Sequence, residues 1–199
     1  MSMRSSNSIT TGMFISSLLA GLCISIGGTA FLSVGGGLPG AVLFSIGLLL
    51  VIEMGHNLFT GKVCFAEIAN IPNLLMILVG NILSCIIVGS LVAMTRPSVI
   101  GFAEEICRNK LSEPWWAVII LGMFCNFLIY YAVANKNPVI TVFCVVVFIT
   151  CGFEHSIANT YYMTVSGLLG SLRGILYILL NISGNTIGGL LIHRLVIRQ

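Results

Sequence analysis

Hydrophobic positions along this chain fall in long unbroken runs, set apart by short polar or glycine-rich interruptions, with no alternation of period two. Continuous runs predict helices; a membrane barrel would alternate lipid-facing and lumen-facing residues. After a short polar leader, residues 1–12, the first span covers 13–34. It is rich in Gly, Ser and Ala, which let helix backbones approach closely. Gly35-Gly36-Gly37-Leu38-Pro39-Gly40 reads as an uncharged turn. A second span, 41–54, meets the polar interruption Gly55-His56-Asn57-Leu58-Phe59-Thr60-Gly61-Lys62. Pro72 precedes a third span, 74–94, with Gly80-Asn81 inside it. Residues 95–114 form the longest polar stretch, and Trp115-Trp116 opens a fourth span, 115–134, as an interfacial aromatic belt. The last span, 175–191, contains Gly184-Asn185.

Between the fourth and last spans lies the stretch that organises the rest. The apolar run from Val139 to Leu169 exceeds the roughly 20 residues that cross a bilayer, and its middle reads Gly152-Phe153-Glu154-His155-Ser156-Ile157-Ala158-Asn159. Ionisable groups at that depth are costly and face a bundle interior or a wet cavity. A glycine and small polar residues beside them predict a helix that breaks at mid-membrane, a signature of transport. Spans one to three run straight, broken, then Gly-Asn, and spans four to six repeat that order. Three spans per repeat is an odd number, so the halves, about 12–95 and 114–197, insert upside down relative to each other. The expectation is one all-α membrane domain over residues 1–199, with six transmembrane helices, the second and fifth broken.

Composition narrows the class. The chain is 57% hydrophobic and 8% charged, where soluble domains carry about a quarter charged residues. Mean hydropathy is +1.07, which excludes a water-soluble fold. A net charge of +3, scattered along the chain, gives no footprint for nucleic acid. The seven cysteines lie apart without a C-x-x-C pair and read as buried free thiols, Cys107 alone falling outside a span. No metal site or cofactor is expected. The first apolar run has no clear processing site and reads as a membrane helix. Arg4, Lys62, Lys136, Arg194 and Arg198 on the terminal side oppose Arg96, Arg108, Lys110 and Arg173. That small excess favours cytoplasmic termini in a multi-pass protein of the bacterial plasma (inner) membrane.

Three motifs, Leu58-Phe59-Thr60-Gly61, Gly122-Met123-Phe124-Cys125-Asn126 and the 152–159 stretch, resemble the formate/nitrite transporter family closely. Phe44 sixteen residues before Thr60, Lys110 sixteen before Asn126 and Phe148 seven before His155 match its spacing. The resemblance covers residues 12–192. It implies an aquaporin-like protomer in a homopentamer, each with its own pore for formate, nitrite or hydrosulfide. It further implies that His155 is the central pore histidine, with Thr60 facing it and Asn126 nearby. Phe44 and Phe148 would be constriction aromatics, joined by Leu58, and Lys110 the vestibule cation. Glu154 and Asn159 would be supporting residues. The chain departs from the family pattern at its N-terminal helix, at Glu53 and Lys62, and at His56-Asn57.

The chemistry would need these residue types. An anion in an apolar constriction pays a large desolvation cost, and its neutral conjugate acid far less. Lys110 would concentrate anions, His155 would donate or relay a proton, and Phe44 and Phe148 would exclude hydrated ions. Half-helix N-termini at the breaks would add favourable potential. Plainer roles stay open: His155 as a satisfied core histidine, Thr60 as a helix cap, Lys110 as a solvated loop cation. Glu154 is expected to point away from the pore and tie loop backbone, and Glu53 to pair with a cation such as Lys62 at a pore mouth or to hydrogen-bond within the bundle. An enzyme built on Glu154 and His155 is disfavoured, because helical neighbours point about 100° apart. The remaining alternative is a channel for neutral solutes such as water or ammonia.

Overall fold

The computed structural model describes residues 2–135 and 137–198, with side chains from Thr10 onward; Lys136 and the Arg4 side chain lie outside the described residues. The order is α1 (Ser2–Ser33), α2 (Gly37–Glu53), α3 (Phe59–Lys62), α4 (Ile71–Thr95), α5 (Ile100–Ser112), α6 (Trp115–Asn135), α7 (Pro138–Thr150), α8 (Ser156–Val165) and α9 (Leu172–Val196). Among the described residues there is no strand. Segments of α1, α4, α6 and α9 are long and apolar enough to cross a membrane, whereas α2 and α7 are shorter apolar helices.

Local chemistry explains most boundaries. The turn after α1 uses Gly35, Gly36 and Gly37, all at positive φ, where only glycine sits without strain. Asn137 caps α7 by accepting from the Val139 N–H at 2.9 Å, with Pro138 behind it. Ser171 caps α9 through the Gly174 N–H at 3.0 Å.

Three expectations are corrected. The 1–12 leader is helical from Ser2, because nothing in Ser2–Gly12 forces a break before the apolar run begins. Pro72 sits inside the first turn of α4, where its missing N–H is harmless. The polar stretch 95–114 is mostly α5, an amphipathic helix that turns Ala103 and Cys107 inward and pairs Glu104 with Arg108 at 3.5 Å on its outer face. Six cysteines are buried, among them Cys107, which the sequence placed outside the spans, whereas Cys151, expected within a span, is exposed.

The bundle packs α1 on α2 and α4, α6 on α9, α2 on α7 and α4 on α8. Small residues set the distances. A Cβ on Gly21 would stand 2.7 Å from the Asn81 carbonyl oxygen, and one on Gly188 would stand 2.5 Å from Met123 Cα. Large apolar side chains such as Ile15, Leu75, Leu91, Leu176 and Leu179 face outward, the surface of a bundle made for an apolar solvent.

Candidate functional site

The two interruptions are built alike. After α2 the backbone closes with the His56 N–H on the Val51 carbonyl at 2.9 Å, Gly55 at φ 68°. After α7 it closes with the Phe153 N–H on the Phe148 carbonyl at 2.9 Å, Gly152 at φ 68°. Each is a Schellman stop, satisfying carbonyls that the helix end leaves open. The chain then runs extended into a second helix pointing onward, α3 or α8.

A buried carboxamide ties each break to the bundle. Asn81 accepts the Phe59 N–H at 2.7 Å and donates to the carbonyls of Asn57 at 2.9 Å and Ser17 at 2.7 Å. Asn185 accepts the Ser156 N–H at 2.9 Å and donates to the carbonyls of Glu154 at 2.8 Å and Gly122 at 2.9 Å. Gly-Asn in the third and last spans thus supplies the same clamp twice. Asn181 adds a second donor to the Glu154 carbonyl at 2.8 Å. Without these partners, backbone polar groups would be stranded in an apolar interior.

The clamps deliver His155 and Thr60 to each other. His155 Nδ1 accepts from the Ala158 N–H at 3.1 Å, capping α8, and Nε2 lies 3.0 Å from Thr60 Oγ1. Because Nδ1 accepts, we assign the proton to Nε2: the ring is neutral and donates to the threonine hydroxyl. His155 is therefore both a cap and the bond between the two breaks. Asn126 donates to the Thr60 carbonyl at 2.9 Å, one step removed from the imidazole, and its Oδ1 has no partner among the described residues.

Phe44 and Phe148 belong to one layer. Their rings meet edge to face at 6.2 Å, both fully buried, and Phe148 stacks on the His155 ring at 5.8 Å and 15°. On one side opens a cavity of about 190 Å³ lined by Phe148, His155, Lys110, Asn159 and Tyr162 among others. Leu58, also buried, lines a separate cavity of about 230 Å³ together with His56 and Lys62. His155 thus faces a cavity.

Lys110 is no free cation: its Nζ lies 2.6 Å from Glu154 Oε2, and the same oxygen accepts from Asn159 Nδ2 at 2.6 Å. Asn159 also donates to Asn181 Oδ1 at 3.0 Å. The Glu154 carbonyl is held by the Asn181 and Asn185 amides, while its carboxylate pairs with the Lys110 and Asn159 side chains and not with loop backbone. Glu53 is exposed, and neither it nor Lys62 forms an ion pair among the described residues. Sequence reasoning missed Asn181 and Tyr162. Asn181 and Asn185 stand four apart in an apolar helix, and His155, Asn159 and Tyr162 follow i, i+4, i+7; both are single-face spacings that carried the signal.

This constellation sits in a fold already known. A structure described as an FNT family ion channel superposes with a TM-score of 0.88 at 24% identity, covering 98% of this chain and 92% of that one. Another, described as a pentameric formate channel with formate bound, gives a TM-score of 0.84 at 23% identity over 96% and 99% of the two chains. A formate-nitrite transporter of Entamoeba histolytica is 26% identical over 219 residues, covering 89% of this chain. The chain spans 60% of the length of that curated relative. The family model described as formate/nitrite transporter matches residues 2–198. This multi-pass membrane protein belongs to the formate/nitrite transporter family.

Proposed function

We propose that the chain assembles as a homopentamer in which each protomer conducts a small monovalent weak-acid anion: formate, nitrite or hydrosulfide. Its six spans form a 3+3 inverted repeat with aquaporin-like broken helices, and the matched carboxamide clamps at Asn81 and Asn185 support that symmetry. One observation carries the pathway. The 3.0 Å contact of His155 with Thr60 joins both breaks, with a cavity on the His155 side and another beyond Leu58.

An anion in the Lys110 cavity meets apolar resistance at Phe44 and Phe148, which its neutral acid crosses at far lower cost. His155 supplies the proton as a relay. Nδ1 takes a proton from water as the Ala158 cap opens, Nε2 gives one to the anion, and exchange through water moves the remaining proton from Nδ1 to Nε2, which restores the resting neutral ring. Lys110 acts as half of an ion pair with Glu154, so its attraction for anions is local. The names of the relatives, a formate-nitrite transporter and a pentameric formate channel, support the substrate class. Lipid bilayer and protons are the remaining partners, and the bacterial plasma membrane with cytoplasmic termini is the setting.

Uptake of labelled formate, nitrite and hydrosulfide into proteoliposomes at several pH values tests this, with native mass spectrometry for the pentamer. Saturable flux that rises with acidification is the expected outcome. Water or ammonia flux without anion flux points instead to a neutral-solute channel.

A further inference from the structure

One wall residue of the Lys110 cavity carries a buried hydroxyl that is unpartnered among the described residues, and no sequence motif announced it. Tyr162 lines it, is 4% exposed, and packs its ring at 5.8 Å from Phe31 and 6.5 Å from Phe44. Its buried hydroxyl has no hydrogen-bond partner among the described residues. The neighbouring Tyr161 makes the contrast: its hydroxyl is satisfied by Thr29 at 2.7 Å. A buried hydroxyl left unpaired is destabilising unless a ligand or water completes it.

Most other polar groups in the same wall are already engaged. Both His155 nitrogens are engaged, by Thr60 and by the Ala158 N–H. The Asn159 amide nitrogen is given to Glu154 and Asn181. Lys110 spends one of its three N–H bonds on Glu154. The donors left over are the rest of the Lys110 ammonium and the Tyr162 hydroxyl. Apolar rings of Phe31, Phe102 and Phe148 complete the wall, and about 190 Å³ is ample for an anion the size of formate or nitrite.

Building on the proposed anion conduction, we infer that Tyr162 is a substrate-binding residue that makes this cavity selective for small oxyanions. Its hydroxyl donates to one oxygen of formate or nitrite while the Lys110 ammonium holds the other. Hydrosulfide offers a single sulfur, a weak acceptor, and gains little from the hydroxyl.

Tyr162→Phe in proteoliposomes tests this, with formate and hydrosulfide uptake measured over a concentration series beside a thermal melt. The half-saturating formate concentration rises on the order of tenfold, the loss of one hydrogen bond to a charged acceptor. That for hydrosulfide changes little, and the melting temperature does not fall, because the deleted hydroxyl had no partner. Formate saturation unchanged in the variant overturns the inference. So does an equal loss for both anions with a lowered melt, which marks a packing role. Absence of saturable oxyanion flux through the parent chain overturns the conduction proposal itself, and with it this inference. As a control, Tyr161→Phe removes a satisfied hydroxyl; it lowers the melt and leaves formate saturation in place.

Discussion

Replacing Asn185 with alanine removes three hydrogen bonds from a fully buried side chain: one from the Ser156 N–H and two to the carbonyls of Glu154 and Gly122. The losses are unequal. The Glu154 carbonyl keeps the Asn181 amide at 2.8 Å, so it stays satisfied. The Ser156 N–H, at the first residue of α8, has no other acceptor among the described residues and is stranded. One such group costs about 1–3 kcal/mol, and the void left by the shortened side chain adds about 1 kcal/mol. A total near 3 kcal/mol corresponds to about 6–12 °C in melting temperature for a chain of this size. Intrinsic fluorescence melts of the detergent-solubilised protein give the number. Asn185→Asp is the sharper variant: it keeps an acceptor for Ser156 but sets a buried carboxylate without a cation against the Gly122 and Glu154 carbonyls, so it melts no higher than the alanine variant. Asn81→Ala, at the matching clamp, falls by a similar amount. If Asn185→Ala melts within about 2 °C of the parent, the clamp does not hold the break and the whole account of its geometry fails.

His155→Asn keeps a residue able to cap α8 but one that carries no titrating proton; flux loses its pH dependence while the melt stays close to the parent. A pH–flux profile that is unaltered removes the imidazole from proton transfer. Lys110→Met leaves the Glu154 carboxylate buried without its cation, an expected loss of about 3–5 kcal/mol. Adding Glu154→Gln restores much of it, as a double-mutant cycle by thermal melts reads directly. Phe148→Ala removes both the edge contact with Phe44 and the stack on His155, so acetate and lactate gain passage relative to formate. An unchanged permeability ratio in liposome flux places the constriction elsewhere.

The breaks and the Gly-Asn pairs were legible because chemistry at those points is local. A glycine at positive φ ends a helix wherever it sits, and a lone carboxamide in an apolar helix needs a partner. The family motifs set Thr60 facing His155 for the same reason: each lies within a few residues of a break. What escaped depends on neighbours distant in sequence. Lys110 reads as a free cation until α5 folds back and brings Glu154, 44 residues on, within 2.6 Å. Phe44 and Phe148 come from different halves, so only packing shows that they form one layer. The Tyr162 hydroxyl is notable for lacking a partner among the described residues, and no sequence pattern reports a missing bond. The α5 helix was masked by its charges, which look like loop until their i, i+4 spacing on one face is noticed.

The glycine seams have a mechanical corollary. Where α6 meets α9, backbone lies against backbone at Gly188 and Met123, with no side chain between them to slide or tilt upon. Helices keyed so closely resist piston-like or rocking displacement. Under the proposed conduction, opening at Phe44 and Phe148 would then fall to ring torsions and not to a tilt of α6 against α9.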